Sequence, residues 1–426
     1  MAYADLDRAQ LEELARSLEQ EYARHCTKGL NLNMARGKPS AAQLELSLPL
    51  LDAVRADADL FAEDGTDCRN YGTMDGIAEA KRLMGAVMDH DPACVCVFGN
   101  SSLNIMFDLV TCGMMHGYRG AAPWKDLDGV KWLCPVPGYD RHFAITESYG
   151  IEMIPVALRE DGPDMDEVER LVANDPSIKG IWCVPQYSNP SGITYDDETV
   201  RRLASMPCAA EDFRIFWDNA YCVHHLYEKR AAHVADIARA CEAAGNPDRY
   251  FKFASTSKVT FPGAGIAAVA ASAENIAEIK KRVGIQTVGY DKLNQLRHVR
   301  FLHDERGVAA HMEKHAAILR PKFELVERML DEGLAEAGCA RWSNPDGGYF
   351  VSFDGMPHTA KRTVELASKA GVTMTGAGAT WPYKNDPADS NIRIAPTLPP
   401  LEELEQAMEV FVCCAKLASV EALLNA

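Results

Sequence analysis

The chain has 426 residues, 47% hydrophobic and 25% charged, the balance of a globular protein and not of a disordered, fibrous or coiled-coil one. Its 61 acidic and 44 basic residues give a formal charge of −17. That is the wrong sign for a nucleic-acid or anionic-membrane binder, and no basic segment offsets it.

The N-terminal segment carries Asp5, Asp7, Glu12 and Glu13 with no cationic stretch before an apolar run, so no signal peptide is expected. No apolar run approaches the roughly 18 residues of a membrane span. Thirteen cysteines are scattered through apolar stretches without a CxxC pair. They read as small buried hydrophobes in a reducing, cytoplasmic compartment, with no metal site.

Leu6, Leu11, Leu14, Leu18 and Tyr22 recur near helical spacing, predicting an amphipathic helix over 5–25. Residues 31–47, with Gly37 and Pro39, read as an irregular arm. Strand patterns follow at 94–98, 130–134, 152–156, 180–184, 214–217, 250–254 and 265–271, with helices at 77–88, 103–115 and 197–205. Short strands alternating with helices predict a mostly parallel, helix-covered α/β sheet. Beyond residue 300 the pattern changes to a long helix over 303–336, strands at 348–353 and 391–395, and helices at 359–370 and 401–422. The expected division is an N-terminal helix and arm (1–50) packing with the small domain, a large domain (51–300) and a smaller α+β domain (301–426).

Three stretches at strand ends carry chemistry. Ser255-Thr256-Ser257-Lys258 follows the strand 250–254. Hydroxyls there suit a phosphate, and a lysine in a dry pocket has a lowered pKa and can form an imine. Asn189-Pro190-Ser191-Gly192 follows the strand 180–184, and Asp218 with Tyr221 follows the strand 214–217. Read singly, these are a loop lysine, a turn and a helix cap.

The spacings are 29 residues from Asn189 to Asp218 and 40 from there to Lys258. In that order the set resembles the fold-type I pyridoxal-phosphate enzymes, specifically class I aminotransferases, over roughly residues 30–400. The resemblance implies a large domain with a seven-stranded, mostly parallel sheet and a smaller α+β domain. It implies pyridoxal 5′-phosphate bound covalently to Lys258, with Asp218 paired to the pyridine nitrogen and Tyr221 and Asn189 donating to the ring 3′-oxygen. Ser255, Ser257 and the segment Gly99-Asn100-Ser101-Ser102 match phosphate contacts at a helix N-terminus. Tyr139 matches the residue that stacks on the cofactor ring, and His142 the histidine behind Asp218. Tyr71 matches the residue that reaches the phosphate of a neighbouring subunit, which implies a homodimer with shared active sites.

For the substrate, Arg393 matches the arginine that grips the α-carboxylate through its bidentate fork. Asn189 and Gly37 of the arm also approach the substrate. Arg36, Lys38, Arg141 and Arg297 stay open as readers of a second carboxylate. Family members carry an arginine eight residues after the lysine, paired to the phosphate. Here that position is Ile266. The departure, with Arg36-Gly37-Lys38-Pro39-Ser40 and Ser257-Lys258-Val259-Thr260-Phe261-Pro262, resembles the divergent bacterial aspartate aminotransferase subgroup.

The implied reaction is transamination, with L-aspartate and 2-oxoglutarate giving oxaloacetate and L-glutamate. The alternatives on this fold are a β-lyase, a decarboxylase or a cofactor-binding regulatory protein. Gly263-Ala264-Gly265-Ile266-Ala267-Ala268 formally fits a dinucleotide fingerprint, but it precedes a strand-like run instead of opening a helix.

Overall fold

The computed structural model describes residues 2–426. Its strands in chain order are β1 (Leu32–Asn33), β2 (Val95–Phe98), β3 (Lys131–Val136), β4 (Glu152–Arg159), β5 (Gly162–Pro163), β6 (Ile178–Cys183), β7 (Arg214–Asp218), β8 (Tyr250–Ser255), β9 (Ala267–Ala270), β10 (Ala340–Trp342), β11 (Val351–Gly355), β12 (Val372–Thr373) and β13 (Asn391–Ile394).

Eight of them form one sheet in the order β2-β9-β8-β7-β6-β3-β4-β5. The seven expected strands are all present, joined by the two-residue edge strand β5. Pairing is parallel from β8 through β7, β6 and β3 to β4. β9 runs antiparallel to both β8 and β2, so β2 shares the direction of the parallel set. The C-terminal ends of β2, β3, β6, β7 and β8 therefore lie along one edge. In an α/β sheet that edge is where ligands bind.

The central strands are buried at almost every position, as expected for a sheet covered on both faces. One face packs Phe216, Phe251 and Trp132 against the helix Ser102–His116. The other packs Ile181, Ile215 and Trp217 against the helix Asp197–Ser205. Part of the acidic excess serves as helix caps. Asp164, Asp196, Asp236 and Asp304 each accept a backbone N–H at a helix start, satisfying donors that have no partner within the helix.

A three-stranded antiparallel sheet, β10-β11-β13, stands apart. It shares a core with the helices Arg8–Thr27, Glu305–Leu334 and Leu401–Leu424 through Leu11, Leu18, Phe323, Phe353, Phe411 and Leu417. The arm is more regular than its composition predicts. β1 pairs in parallel with β12, and Ser40 opens a short helix, Ala41–Glu45, through a capping box with Gln43. The expected helix over 303–336 begins two residues later, because His303 sits at φ +63°. That kink separates the helix Lys292–Leu302 from Glu305–Leu334. The structure adds helices without a sequence-based expectation at Asp140–Ser148, Met165–Val172, Ile237–Ala243 and Ala273–Gln286.

Candidate active site

A cavity of about 130 Å³ lies at the C-terminal ends of β2, β3, β6, β7 and β8. Ser101, Ser102, Tyr139, Asn189, Asp218, Tyr221, Ser255, Ser257 and Lys258 line it, together with Leu103, Val184 and Ala220. Nine residues from five separate segments thus meet in one space.

Asp218 ends β7 and is 3% exposed. Its Oδ2 accepts a hydrogen bond from His142 Nε2 at 3.0 Å. Its Oδ1 is buried without a partner. A buried carboxylate oxygen left unpaired is costly unless a donor arrives from outside the chain. His142 is itself fixed by stacking on Trp182, with ring centroids 4.5 Å apart and planes 13° apart.

Lys258 follows β8 directly, and its Nζ lies 4.9 Å from the centre of the Tyr221 ring. No hydrogen bond or ion pair engages Nζ among the described residues. Burial lowers its pKa, which the charge of Asp218 partly offsets. Burial likewise pushes the Tyr221 hydroxyl well above its ordinary value.

The hydroxyls of Ser255 and Ser257 are 3.1 Å apart, and Ser257 Oγ donates to the Asn100 carbonyl at 2.9 Å. Ser101 is the N-cap of the helix Ser102–His116, so free backbone N–H groups face the cavity beside these hydroxyls. The Asn100 side chain donates to the Pro262 carbonyl at 3.0 Å, which ties the segment before the helix to the turn after Lys258. Ile266 is 1% exposed, and its backbone brackets Thr256. An apolar side chain fills the place where the family pattern has an arginine.

Arg393 is buried on β13 and is not on a solvent face. Its Nη1 donates to Asp140 Oδ1 at 3.0 Å and to Asn189 Oδ1 at 3.2 Å. Its Nη2 donates to Thr375 Oγ1 at 3.4 Å. The guanidinium stacks over Phe350, 4.9 Å from the ring centre. Gly37 lies flush on the same ring, since a Cβ there would come within 2.4 Å of it. The arm thus reaches Arg393 by way of Phe350. Tyr71 lies outside the cavity and is 83% exposed.

A polar network behind the lysine carried no sequence signal. Ser40 N–H donates to Gln43 Oε1, which turns Gln43 Nε2 toward both His315 Nδ1 and Tyr349 Oη, each at 3.0 Å. Tyr349 in turn donates to the Lys258 carbonyl at 3.4 Å, and His311 Nε2 lies 2.8 Å from the Val259 carbonyl. As Nδ1 of His315 must accept, that ring is neutral. Burial, helped by His311, lowers its pKa to about 4. His224, buried with both ring nitrogens unpaired, completes the layer. These contacts are long-range and polar, so hydrophobic periodicity leaves no trace of them.

A layered α/β sheet with a buried acid, a lysine and clustered hydroxyls at its strand ends defines a cofactor-dependent enzyme of the aminotransferase type. Residues 6–426 match the family described as Aspartate amino-transferase, and the chain belongs to that family. It is 46% identical over 422 residues to the aspartate aminotransferase of Corynebacterium glutamicum, spanning 99% of this chain and 97% of that protein. It superposes on the crystal structure of an aspartate transaminase from the same organism with a TM-score of 0.96, each chain 99% covered. An α-aminoadipate aminotransferase of Thermus thermophilus, solved with N-(5′-phosphopyridoxyl)-L-leucine, shares the fold at 20% identity, with a TM-score of 0.74 over 94% of this chain and 95% of that one. The protein is an aminotransferase in the divergent bacterial subgroup.

Proposed function

We propose that the protein transfers the amino group of L-aspartate to 2-oxoglutarate, giving oxaloacetate and L-glutamate, with pyridoxal 5′-phosphate held in the cavity at the strand ends. The supporting observation is the single cavity that unites Lys258 with the unpaired Oδ1 of Asp218. A protonated ring nitrogen is the donor that this oxygen lacks. The 46% identity to a named aspartate aminotransferase supports the substrate pair.

The cofactor, when bound, supplies an electron sink for the substrate's Cα. Lys258 anchors it, and its Nζ then moves the proton at Cα, a task suited to an amine whose pKa burial has lowered. Asp218, held by His142, keeps the ring nitrogen charged. Tyr221 and Asn189 hold the ring oxygen, and Tyr139 covers a ring face. Ser101, Ser102, Ser255 and Ser257 hold the phosphate with the N-terminus of Ser102–His116. Arg393 binds the α-carboxylate with Asn189, and Gly37 brings the arm over it.

Exposed Tyr71, Met74, Ile285 and Val288 support a homodimer in which Tyr71 enters the neighbouring subunit's site. The separate cores support division near residues 50 and 300, and the free cysteines support a cytoplasmic setting.

The test is the visible absorption of the purified protein. L-aspartate should bleach it and 2-oxoglutarate restore it, with glutamate formed in equal amount to the oxaloacetate. Release of ammonia or CO₂ in place of amino transfer would overturn the reading in favour of a lyase or decarboxylase.

A further inference from the structure

The guanidinium assigned to the substrate's carboxylate already has a carboxylate beside it. Asp140 opens the helix Asp140–Ser148 immediately after Tyr139, a residue of the cavity wall. Its Oδ1 lies 3.0 Å from Arg393 Nη1, with side-chain exposures of 35% for Asp140 and 8% for Arg393.

A guanidinium has five N–H donors in a planar fork. Here both Nη1 hydrogens are engaged, by Asp140 and Asn189, and one Nη2 hydrogen by Thr375. One Nη2 hydrogen and Nε are left without a protein partner, Nε being buried. A carboxylate arriving at this guanidinium meets an arginine whose charge Asp140 has already balanced. It also feels Asp140 across the guanidinium. At such separations, in a partly shielded site, one like charge changes an affinity by about threefold to tenfold.

We infer that Asp140 is an affinity-setting residue, a built-in counter-ion of Arg393 that keeps carboxylate binding weak. The inference rests on the assignment of Arg393 to the α-carboxylate. Weak, uniform binding raises KM without slowing the chemical step and eases the departure of the product acid. Asp140 acts on both half-reactions alike, because every substrate and product carries an α-carboxylate.

The experiment titrates maleate calorimetrically into the cofactor-loaded protein and its variants, alongside steady-state kinetics. Asp140→Asn keeps the shape and an acceptor for Nη1 but removes the charge. It should tighten maleate about threefold to tenfold and lower KM for amino acid and oxo acid together, with kcat unchanged or reduced. Asp140→Glu, which keeps the charge, should show no such gain. A gain of affinity cannot arise from misfolding.

Weaker maleate binding in Asp140→Asn would mean that the acid merely steadies Arg393, and unchanged binding would mean that its charge is not felt. Either result overturns the inference while leaving the transaminase reading intact. Arg393→Lys should lose maleate binding in the parental background. If it does not, the assignment of Arg393 fails, and this inference fails with it.

Discussion

Lys252 and Lys258 lie on the same strand and turn, the first buried and the second half-buried, yet the fold treats them in opposite ways. Lys252, inside β8 and 2% exposed, is bound to Asp236 at 2.9 Å and to the Asp89 carbonyl at 3.3 Å. It borders a cleft of about 1220 Å³ between the helices Ala78–Met88, Ile237–Ala243 and Glu305–Leu334. Lys258, just past the strand, borders a cavity about a tenth of that size and has neither a hydrogen bond nor an ion pair at Nζ. The acids differ in the same sense. Asp236 spends its oxygens on Lys252, Arg239 and a helix cap, whereas Asp218 keeps one buried oxygen free. A lysine becomes chemically useful when the fold shields it and withholds a close carboxylate. Cleft size is a poor guide, because the larger space holds the satisfied pair.

The comparison breaks most visibly at Lys258. Lys258→Ala should lower kcat by about ten-thousandfold or more, the scale of a lost acid–base group combined with a lost anchor. It should also remove the visible absorption, while the thermal midpoint stays near that of the parent. Transamination at a near-parental rate would remove Lys258 from the chemistry.

Lys252→Met should do the reverse. It removes the nearest cation from the shielded carboxylate of Asp236, leaving it Arg239 and the helix cap, which costs about 3 kcal/mol of stability, read from the denaturant midpoint. The kcat of the folded fraction should hold. A fall in kcat with unchanged stability would erase the distinction between the two lysines.

The smallest of these effects concerns the histidines that brace the reactive turn. His298 accepts from Thr260 through Nε2 at 2.9 Å, and burial lowers its pKa to about 4. The unfolded chain takes up this proton below pH 6.5 and the native one only near pH 4. Stability from this group is therefore fully present above pH 6.5 and is lost as the pH falls toward 4, by on the order of 3 kcal/mol. His298→Gln should flatten the dependence of the unfolding midpoint on pH between 6.5 and 4.5. An unaltered slope would mean that His298 is charged in the native state.

Sequence reading reached the strand-end residues because each follows an apolar run that can only be a buried strand. Lys258, Asp218 and Asn189 sit at such ends, and their order in the chain mirrors the strand order β8, β7, β6. The bond from Asn100 to Pro262 left no mark in the sequence, because the motif is local and its partner lies far along the chain. Gln43, His315, Tyr349 and Asp140 have no role that the sequence assigns, because each acts through a partner far along the chain or on another element. The helix Asp140–Ser148 alternates charge with apolar residues too briefly to show a helical period, and with it the setting of Arg393 was hidden.

The amino-acid sequence alone determined the class of sheet, the family resemblance and the residues at the strand ends, since hydrophobic runs and motif order are properties of the chain taken one segment at a time. Tertiary structure alone decided which carboxylate oxygen stays unpaired, which lysine is left without a partner and which acid stands beside Arg393. Those outcomes depend on how buried donors and acceptors are shared among distant segments, and that sharing is settled only when the segments pack.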